Sequence, residues 1–477
     1  MNKKLFSQYP LSSEIKRALS FLHYTSPTSI QQMVIPLLLH KEKQDLVAQS
    51  QTGSGKTAAY GIPLCEKIDW DENKVHSLIL TPTRELADQV KEDLTAIGRF
   101  KRLQIKAIYG KQSYEKQKLS LKQKTHVVVG TPGRVLDHLQ KGTLDVSKLQ
   151  YVVIDEADEL FNKGFLEQVD AIFERLPKER TQLLFSATFP EEVETLIENI
   201  MEDPVYVKNE ETNDTPAIQH MAVQATRQIN DVILDVLHKE EADNALIFCE
   251  TQRDVDHLFQ KMKTTTPSLA KLHGGMRQEE RLRVMNQFKS GHVRYLLSTN
   301  LAARGIDVHN LALVVHASFP QSIEHYIHRT GRTGRNGAVG KSILLVTTDE
   351  LRALAEFEQQ LGFSFLFQDI PHASIKQKQQ FYRDKNVTHV KEEKKKINEG
   401  IMKLYLNGGK QKKIRAGDLV GTITSIPNVD ASDIGIITVE QNASFVEILN
   451  NKGTHVLEHL RKSTVKGKQL KVHQAKK

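Results

Sequence analysis

The segment from Ser50 to Thr57, with the sequence SQTGSGKT, limits the possible folds of this chain more than any other feature. It follows the apolar run Leu46–Ala48 and precedes a stretch with helical periodicity. In such a context, glycines let backbone N–H groups turn inward around phosphate oxygens, and Lys56 can reach the β- and γ-phosphates. The segment therefore predicts a nucleotide-binding α/β domain whose nucleotide contacts are Ser50, Gln51, Thr52, Gly53, Ser54, Gly55, Lys56 and Thr57.

Short apolar runs alternate with helical patterns in two series along the chain, which predicts two parallel α/β sheets. The first series comprises Ser77–Leu80, Val127–Val129, Tyr151–Ile154 and Leu183–Phe185, and the second comprises Ala245–Phe248, Tyr295–Leu297, Ala312–Val315 and Ser342–Val346. A chain of 477 residues is long enough for about three domains. We predict α/β domains at 1–208 and 209–371, with an inter-domain linker in Met201–Pro216.

The last hundred residues have a different composition. From 372 to 400 the sequence is polar and rich in lysine, which favours a charged linker over a solvated helix. In 401–477 the order strand, helix, two strands, helix, strand predicts a small α+β domain of the ferredoxin-like plan. This segment holds 13 Lys and Arg against six Asp and Glu, which is +7 of the net charge of +8. We expect it to bind a polyanion, most often a nucleic acid; the alternative is a solvated basic tail.

The two cysteines, Cys65 and Cys249, provide neither a disulfide framework nor a metal-binding cluster. The first residues are not followed by an apolar signal-peptide core, and no uninterrupted apolar stretch approaches 18 residues. We therefore expect a cytoplasmic protein that does not span a membrane.

Two carboxylates follow the buried run Tyr151–Ile154, where ligands of open α/β sheets bind. Asp155 is placed to hold Mg²⁺ through its water ligands, together with the hydroxyl of Thr57. Glu156 is placed to orient and deprotonate a water molecule that attacks the γ-phosphate. The pair and the phosphate loop together predict an ATPase in which Lys56, Asp155 and Glu156 are catalytic.

Residues 155–158 read Asp-Glu-Ala-Asp, and residues 24–31 read Tyr-Thr-Ser-Pro-Thr-Ser-Ile-Gln. With the phosphate loop, these segments resemble the DEAD-box RNA helicases, and the resemblance extends from residue 1 to about residue 360. It implies two tandem RecA-like domains and an RNA-dependent ATPase that unwinds local RNA duplexes. It also implies that Gln31 hydrogen-bonds the adenine and that Tyr24 stacks on it. Phe6 lies where the family has an aromatic residue upstream of this segment. The amide-to-adenine contact favours ATP over GTP.

The second half of the chain supplies further motifs of this family. The segment HRTGRTGR at 328–335 resembles the one that carries the arginine fingers, Arg332 and Arg335, which stabilise charge on the γ-phosphoryl oxygens when the domains close. In 299–307, Gly305 and Asp307 are expected near the nucleotide. Asn300 replaces the aspartate that is usual there.

Other short motifs resemble the family's coupling and RNA-binding segments. Ser186 and Thr188 lie in a Ser-Ala-Thr motif that resembles the one coupling ATP hydrolysis to RNA unwinding. The predicted backbone contacts of the RNA strand are Thr83, Arg84, Gly110, Thr131, Gly133, Arg134, Arg281 and Thr299. Hydroxyls, amides and arginines of this kind bind phosphates and 2′-hydroxyls without reading bases.

The terminal domain offers two candidate RNA surfaces. Tyr405 and Phe445 occupy positions that resemble the stacking residues of an RNA recognition motif (RRM), unless they are packed in the core. The alternative is a basic edge formed by Lys410, Lys412, Lys413 and Arg415 with Lys466 and Lys468. The whole arrangement resembles the DbpA subgroup, which implies targeting to a hairpin of 23S ribosomal RNA near the peptidyl transferase centre and a role in large-subunit assembly.

Two other functions fit part of the sequence. A non-catalytic RNA clamp would hold ATP without turnover, but Glu156, Arg332 and Arg335 favour catalysis. A DNA helicase is disfavoured by the RNA-recognition-like domain. No feature of the sequence indicates an obligate protein partner.

Overall fold

The computed structural model describes residues 5–40, 44–50, 53–162, 164–208, 218–266, 268–300, 311–334, 339–385 and 400–475. These residues form two seven-stranded sheets, one four-stranded sheet and a two-stranded hairpin. Both seven-stranded sheets are parallel, as the two series of apolar runs predict. The predicted fold class, two α/β domains followed by a small α+β domain, is confirmed.

The first domain places seven parallel strands between two layers of helices. Its elements are a 3₁₀ helix (Phe6–Gln8), α1 (Ser13–Phe21), α2 (Ser29–Leu39), β1 (Leu46–Gln49), α3 (Lys56–Lys67), β2 (Ser77–Leu80), α4 (Arg84–Ile97), β3 (Ile105–Ile108), α5 (Tyr114–Leu121), β4 (Val127–Gly130), α6 (Pro132–Gln140), β5 (Tyr151–Asp155), α7 (Ala157–Asn162), α8 (Leu166–Phe173), β6 (Thr181–Ser186), α9 (Glu191–Ile200) and β7 (Val205–Lys208). Phe185 packs with α2, α3 and α4, whereas the adjacent Leu184 packs with α6, α8 and α9. A strand buried on both faces requires a continuous apolar run, which is why the sequence shows one.

The order of strands in this sheet is β3-β4-β2-β5-β6-β1-β7. The edge strand β7, Val205–Lys208, pairs in parallel with β1. Because this strand lies inside the predicted linker Met201–Pro216, the linker begins later than predicted. Residues 209–217 lie outside the described residues.

The second domain repeats this plan with the strand order β10-β11-β9-β12-β13-β8-β14. Its elements are β8 (Ile218–Gln224), α10 (Ile229–Lys239), β9 (Ala245–Cys249), α11 (Gln252–Met262), β10 (Leu269–Leu272), α12 (Gln278–Lys289), β11 (Tyr295–Thr299), β12 (Leu313–His316), α13 (Ile323–Thr330), β13 (Gly340–Val346), a 3₁₀ helix (Thr348–Glu350), α14 (Leu351–Leu361), β14 (Leu366–Phe367) and α15 (Ile375–Asp384).

Helix α15 lies within the predicted linker 372–400 but packs on the second domain. The buried ring of Tyr382 contacts Tyr295 edge-to-face, with 5.8 Å between the ring centroids. The carboxylate of Asp235, on α10, is fully buried and accepts from Lys378 Nζ at 2.6 Å and from the Ala373 N–H at 3.1 Å. The second domain therefore extends beyond the predicted boundary at 371, and residues 386–399 lie outside the described residues.

The third domain has the predicted order of elements, with a short hairpin added before the last strand. These are β15 (Met402–Leu406), a 3₁₀ helix (Lys410–Lys412), α16 (Ala416–Thr424), a 3₁₀ helix (Ala431–Asp433), β16 (Ile434–Val439), β17 (Ser444–Ile448), α17 (Gly453–Lys462), the hairpin strands β18 (Thr464–Val465) and β19 (Lys468–Gln469), and β20 (Val472–Gln474). The sheet order is β16-β17-β15-β20. Leu404 and Val446 face the helices and are fully buried. No helix among the described residues is long and apolar enough to cross a bilayer.

The buried Asp235 carboxylate provides a test of how α15 is held. It also accepts from Arg227 Nη1 at 2.7 Å, so Asp235→Ala leaves Lys378, itself buried, without its carboxylate. We predict that Asp235→Ala lowers the free energy of unfolding of the second domain by about 3–5 kcal/mol, measured by urea denaturation. Lys378→Met should cost less, because Asp235 then keeps Arg227. Equal stability of Asp235→Ala and the wild type would contradict this account.

Candidate functional site

The phosphate loop is held in a conformation that only glycine adopts readily. Gly53 and Gly55 have φ angles of 88° and 92°, in the left-handed region. Lys56 begins α3, is buried, and donates from Nζ to the Ser50 carbonyl at 3.1 Å. Ser50 takes the place of a usual glycine, and its hydroxyl hydrogen-bonds that of Ser54. Gln51 and Thr52 lie outside the described residues.

Gln31 braces this loop from α2. Its Nε2 donates to the Gly55 carbonyl at 3.1 Å, and its Oε1 accepts from the Thr28 N–H at 3.0 Å. A Cβ atom on Gly55 would lie 2.4 Å from that Nε2 atom, so a larger residue would both strain the backbone and displace the Gln31 amide. The contact of Gln31 with adenine stays a prediction. Tyr24 is 40% exposed beside the buried Phe6, whose ring centroid is 6.4 Å away.

The two carboxylates lie at the carboxyl end of β5. The Tyr60 hydroxyl donates to Asp155 Oδ2 at 2.8 Å. The pKa of Asp155 is raised to about 6, mainly by burial and also by the neighbouring Glu156, while Lys56 opposes the shift. Glu156 follows in the left-handed region, with φ of 53°, where the chain turns sharply from the strand into α7. A buried carboxylate of this kind is an oxygen ligand suited to a hard divalent cation.

The coupling residues form a network with the last carboxylate of the tetrapeptide. Asp158 Oδ2 accepts from the Thr188 N–H and from the Thr188 hydroxyl, both at 3.0 Å. The Ser186 hydroxyl donates to the Thr188 carbonyl at 2.6 Å and accepts from the Asp158 N–H at 3.2 Å. These bonds fix the end of β6 to the start of α7.

The second domain reaches this network through His328 of α13. The Nδ1 atom lies 2.9 Å from Glu159 Oε1, and Nε2 lies 3.9 Å from Asp158 Oδ2. Arg332 is buried, and its Nε donates to the His328 carbonyl at 3.3 Å. The predicted arginine finger is thus bonded to the residue that touches the first domain. Arg335, Gly305 and Asp307 lie outside the described residues.

A second contact between the domains involves predicted RNA-binding residues. Arg281 Nη2 lies 2.9 Å from Glu85 Oε1, which also accepts from Gln278 Nε2 at 3.2 Å. Arg84 Nη1 approaches Gln278 Oε1 at 3.5 Å. Arg84 and Arg281 therefore lie on opposite sides of one boundary between the domains.

The remaining predicted RNA contacts lie at carboxyl ends of strands. Gly110 follows β3, Thr131 follows β4 and Thr83 follows β2, three adjacent strands. Thr83 caps α4 by accepting from the Leu86 N–H at 3.1 Å, and Thr299 ends β11 in the second domain. Parallel strands end at the same edge of a sheet. The predicted RNA-binding residues therefore lie at the ends of β3, β4 and β2, and the predicted nucleotide-binding and coupling residues lie at the ends of β5, β6 and β1.

Helix α6 carries two more of these residues, which the structure holds firmly. Gly133 lies close to the side chain of Gln168. A Cβ atom built on Gly133 would lie 3.1 Å from Gln168 Oε1, which is a tight contact. Arg134 donates from Nη1 to the Gln112 carbonyl at 3.2 Å and to Gln117 Oε1 at 3.0 Å.

The terminal domain brings the residues of both candidate RNA surfaces together. Tyr405 and Phe445 are cross-strand partners on the face away from the core, half-buried, with ring centroids 5.5 Å apart. His473 lies beside Tyr405 at 4.5 Å, and Lys403 Nζ lies over the Phe445 ring at 5.2 Å. The sequence analysis missed both of these neighbours, although the alternation along β15 and β20 places them on the same face.

The basic edge is also assembled. Lys468 Nζ donates to the Lys412 carbonyl at 2.6 Å, and Lys466 Nζ donates to the Lys413 carbonyl at 3.2 Å. The predicted groups around 410–415 and 466–468 are therefore neighbours, and Lys410 and Arg415 are exposed.

Comparison with known proteins matches all three domains. Family models match as DEAD/DEAH box helicase at 28–196, helicase conserved C-terminal domain at 228–337 and DbpA RNA binding domain at 403–474. The ATP-dependent RNA helicase DbpA of Bacillus subtilis is 52% identical over 99% of both chains. The chain belongs to the DEAD-box family of ATP-dependent RNA helicases. Within it, the terminal domain and this relative place the chain in the DbpA subgroup.

Other relatives share the two-domain core. The DEAD-box ATP-dependent RNA helicase CshA of Geobacillus kaustophilus is 39% identical over 74% of this chain and 76% of that protein. The structure of Saccharomyces cerevisiae Dbp5 bound to RNA and ADP BeF3 matches with a TM-score of 0.69, 28% identity and coverage of 80% of this chain and 100% of that one. The structure of Mss116 bound to single-stranded RNA and UDP-BeF matches with a TM-score of 0.69 and 26% identity. The match covers 79% of this chain and 81% of that one. The predicted tandem RecA-like architecture agrees with these matches.

Asn300 stands where the resemblance leads us to expect an aspartate, and the structure shows which groups its amide contacts. Asn300 Oδ1 accepts from Arg329 Nε, and the same buried guanidinium donates to the Ser318 carbonyl at 3.0 Å and lies over the Phe248 ring at 5.4 Å. Burial lowers the pKa of Arg329 to about 10. The neutral Asn300 oxygen thus helps to hold a buried guanidinium.

The sequence analysis assigned no role to Asp158, Glu159 or His328, because a contact across two domains leaves no local pattern. We predict that His328→Ala lowers the kcat of the RNA-stimulated ATPase about 10- to 100-fold, because it removes the contact that joins the arginine-finger segment to Asp158 and Glu159. Affinity for an ATP analogue should stay within about twofold, since the phosphate loop is untouched. The exposed His257, changed to Ala, is the matched control, and unchanged kcat in His328→Ala would refute the role of this contact.

Proposed function

We propose that this helicase hydrolyses ATP when its two RecA-like domains close around ATP and RNA, and that the closure separates short RNA duplexes. We further propose that the terminal domain directs it, in the cytoplasm, to a hairpin of 23S ribosomal RNA in particles that precede the large ribosomal subunit. The observation that carries the first proposal is the contact of His328 with Asp158 and Glu159, which joins the arginine-finger segment to the coupling network.

We assign a role to each residue of the nucleotide site. Lys56 binds the β- and γ-phosphate oxygens, and Glu156 accepts the proton of the attacking water. Arg332, with Arg335, stabilises the negative charge that builds on the γ-phosphoryl oxygens. Gln31 and Tyr24 hold the adenine, and Gly305 and Asp307 contact the nucleotide from the second domain.

Asp155 and the Thr57 hydroxyl would hold Mg²⁺. The fit rests on the chemistry of the donors: a carboxylate whose ionised form is disfavoured by burial is stabilised by a divalent cation, and oxygen ligands are the ones that Mg²⁺ prefers. When bound, the cation would neutralise charge on the phosphates.

RNA dependence follows from the position of the RNA residues. Arg84 and Arg281 meet at the same boundary that His328 crosses, so a strand that binds both domains favours their closure. Dbp5 and Mss116, which match this chain over both domains, are bound to RNA and nucleotide analogues in their structures, and this supports the proposal.

The targeting proposal rests on the terminal domain and on the resemblance to the DbpA subgroup. Outward aromatic rings on a sheet stack with unpaired bases, and a basic edge attracts phosphates. Such a tethered domain raises the local concentration of its RNA target at the core.

Glu156→Gln tests the hydrolytic role. The amide keeps the shape of the side chain but cannot accept the proton, so we predict normal ATP affinity and a kcat about 10²- to 10⁴-fold lower. The exposed Glu192, changed to Gln, serves as control. Substantial turnover by Glu156→Gln would rule out the assigned role.

Variants of the terminal domain test the targeting. We predict that Tyr405→Ala with Phe445→Ala raises the concentration of 23S RNA for half-maximal ATPase about tenfold or more, because stacking contributes about 1–3 kcal/mol per base. Unrelated RNA should stimulate the ATPase as before, and removal of 401–477 should abolish the preference for 23S RNA.

The double variant Lys410→Ala with Arg415→Ala tests the basic edge in the same assay. An unchanged preference after removal of 401–477 would refute the targeting, and equal stimulation by matched DNA would refute an RNA-specific function.

A further inference from the structure

The terminal domain contacts the first RecA-like domain through two arginines. Arg102 donates from Nε to the Ile434 carbonyl at 3.0 Å and from Nη2 to the Ala431 carbonyl. Arg17 donates from Nη1 to the Ser432 carbonyl at 3.3 Å and from Nη2 to Asn450 Oδ1 at 2.8 Å. Four neutral oxygens from two neighbouring turns of the terminal domain thus accept from two guanidinium groups.

On the first domain, Arg17 packs against an aromatic ring and Arg102 lies in a turn. The Arg17 guanidinium of α1 lies over the Phe100 ring, 4.2 Å from its centroid. Arg102 lies in the turn between α4 and β3, where its φ angle of 57° is in the left-handed region. The forked guanidinium suits two acceptors at once, which a lysine ammonium does not.

On the terminal domain, a buried carboxylate shapes the accepting turns. Asp433 accepts from Asn450 Nδ2 at 2.6 Å, from Lys452 Nζ at 2.7 Å and from the Asp430 N–H at 2.8 Å. These bonds tie the 3₁₀ helix Ala431–Asp433 to the turn at 450–452. The carbonyls that meet Arg17 and Arg102 are therefore part of a fixed surface.

The connectivity gives this contact a consequence for the catalytic domains. The terminal domain follows α15 in the chain, and α15 is packed on the second domain by Asp235 and Tyr382. The terminal domain is thus joined covalently to the second domain and by hydrogen bonds to the first. A contact that forms when the domains are together shifts their equilibrium by its own free energy.

We propose that Arg17 and Arg102 form a docking site for the terminal domain, and that the docked domain bridges the two RecA-like domains and favours their closure. The partner surface consists of the carbonyls of 431, 432 and 434 with Asn450. The inference does not depend on which RNA the terminal domain recognises, because the docking contacts involve neither Tyr405 nor Phe445.

Single-molecule energy transfer on the full chain tests the docking. Dyes are attached to Glu115→Cys on α5 and Glu458→Cys on α17, both exposed, while the native Cys65 and Cys249 are buried. With a non-hydrolysable ATP analogue and poly(U), we expect one narrow efficiency distribution. Arg17→Ala with Arg102→Ala should broaden and shift it, as should Arg17→Lys with Arg102→Lys, which keeps the charge. The exposed pair Arg175→Ala with Arg352→Ala is the charge-matched control.

ATPase measurements test the bridging. The double alanine variant should need about tenfold more poly(U) for half-maximal activity at unchanged kcat, which corresponds to about 1.4 kcal/mol. An unchanged energy-transfer distribution would overturn the docking, and a higher poly(U) requirement with unchanged transfer would show instead that the arginines bind RNA directly. Altered transfer without any change in the poly(U) requirement would overturn the bridging.

Discussion

The proposed mechanism of ATP hydrolysis depends on the contact between His328 and the carboxylates of Asp158 and Glu159. Asp158 is bonded to Thr188 in the first domain, and His328 to the arginine-finger segment in the second. A single boundary therefore connects the ends of β5 and β6 to the segment that holds Arg332, the proposed arginine finger. Since Arg84, Glu85, Gln278 and Arg281 meet at another part of the same boundary, the proposed RNA contacts and the proposed hydrolytic site share one requirement, the approach of the two domains.

Parallel sheet topology explains how one domain serves two ligands. All strands of the first sheet end at one edge, and the strand order separates β3-β4-β2 from β5-β6-β1 along it. Thr83, Gly110 and Thr131 thus lie apart from Lys56 and Asp155 without any insertion in the fold. The terminal domain adds a third element, because Arg17 and Arg102 hold it to the first domain while its tether leads to the second.

The sequence predicted the elements whose cause is local. The bounds of β2 agree with the apolar run at 77–80, because burial on both faces dictates those residues. It did not predict β7, a strand whose outer residues, including Tyr206, are exposed, or the docking of α15, whose anchor Asp235 lies about 140 positions away. The roles of Asp158 and His328 also escaped it, because they depend on contacts between domains that no short pattern encodes.

The central claim is that hydrolysis takes place only when the domains are together. The most direct test places one dye on each RecA-like domain. Energy transfer between the dyes and single-turnover ATP hydrolysis are then both measured at each RNA concentration of one titration. The account predicts that the fraction of closed molecules and the hydrolysis rate rise with the same midpoint, and that His328→Ala lowers both. Hydrolysis at the full rate in molecules whose domains stay apart would contradict it.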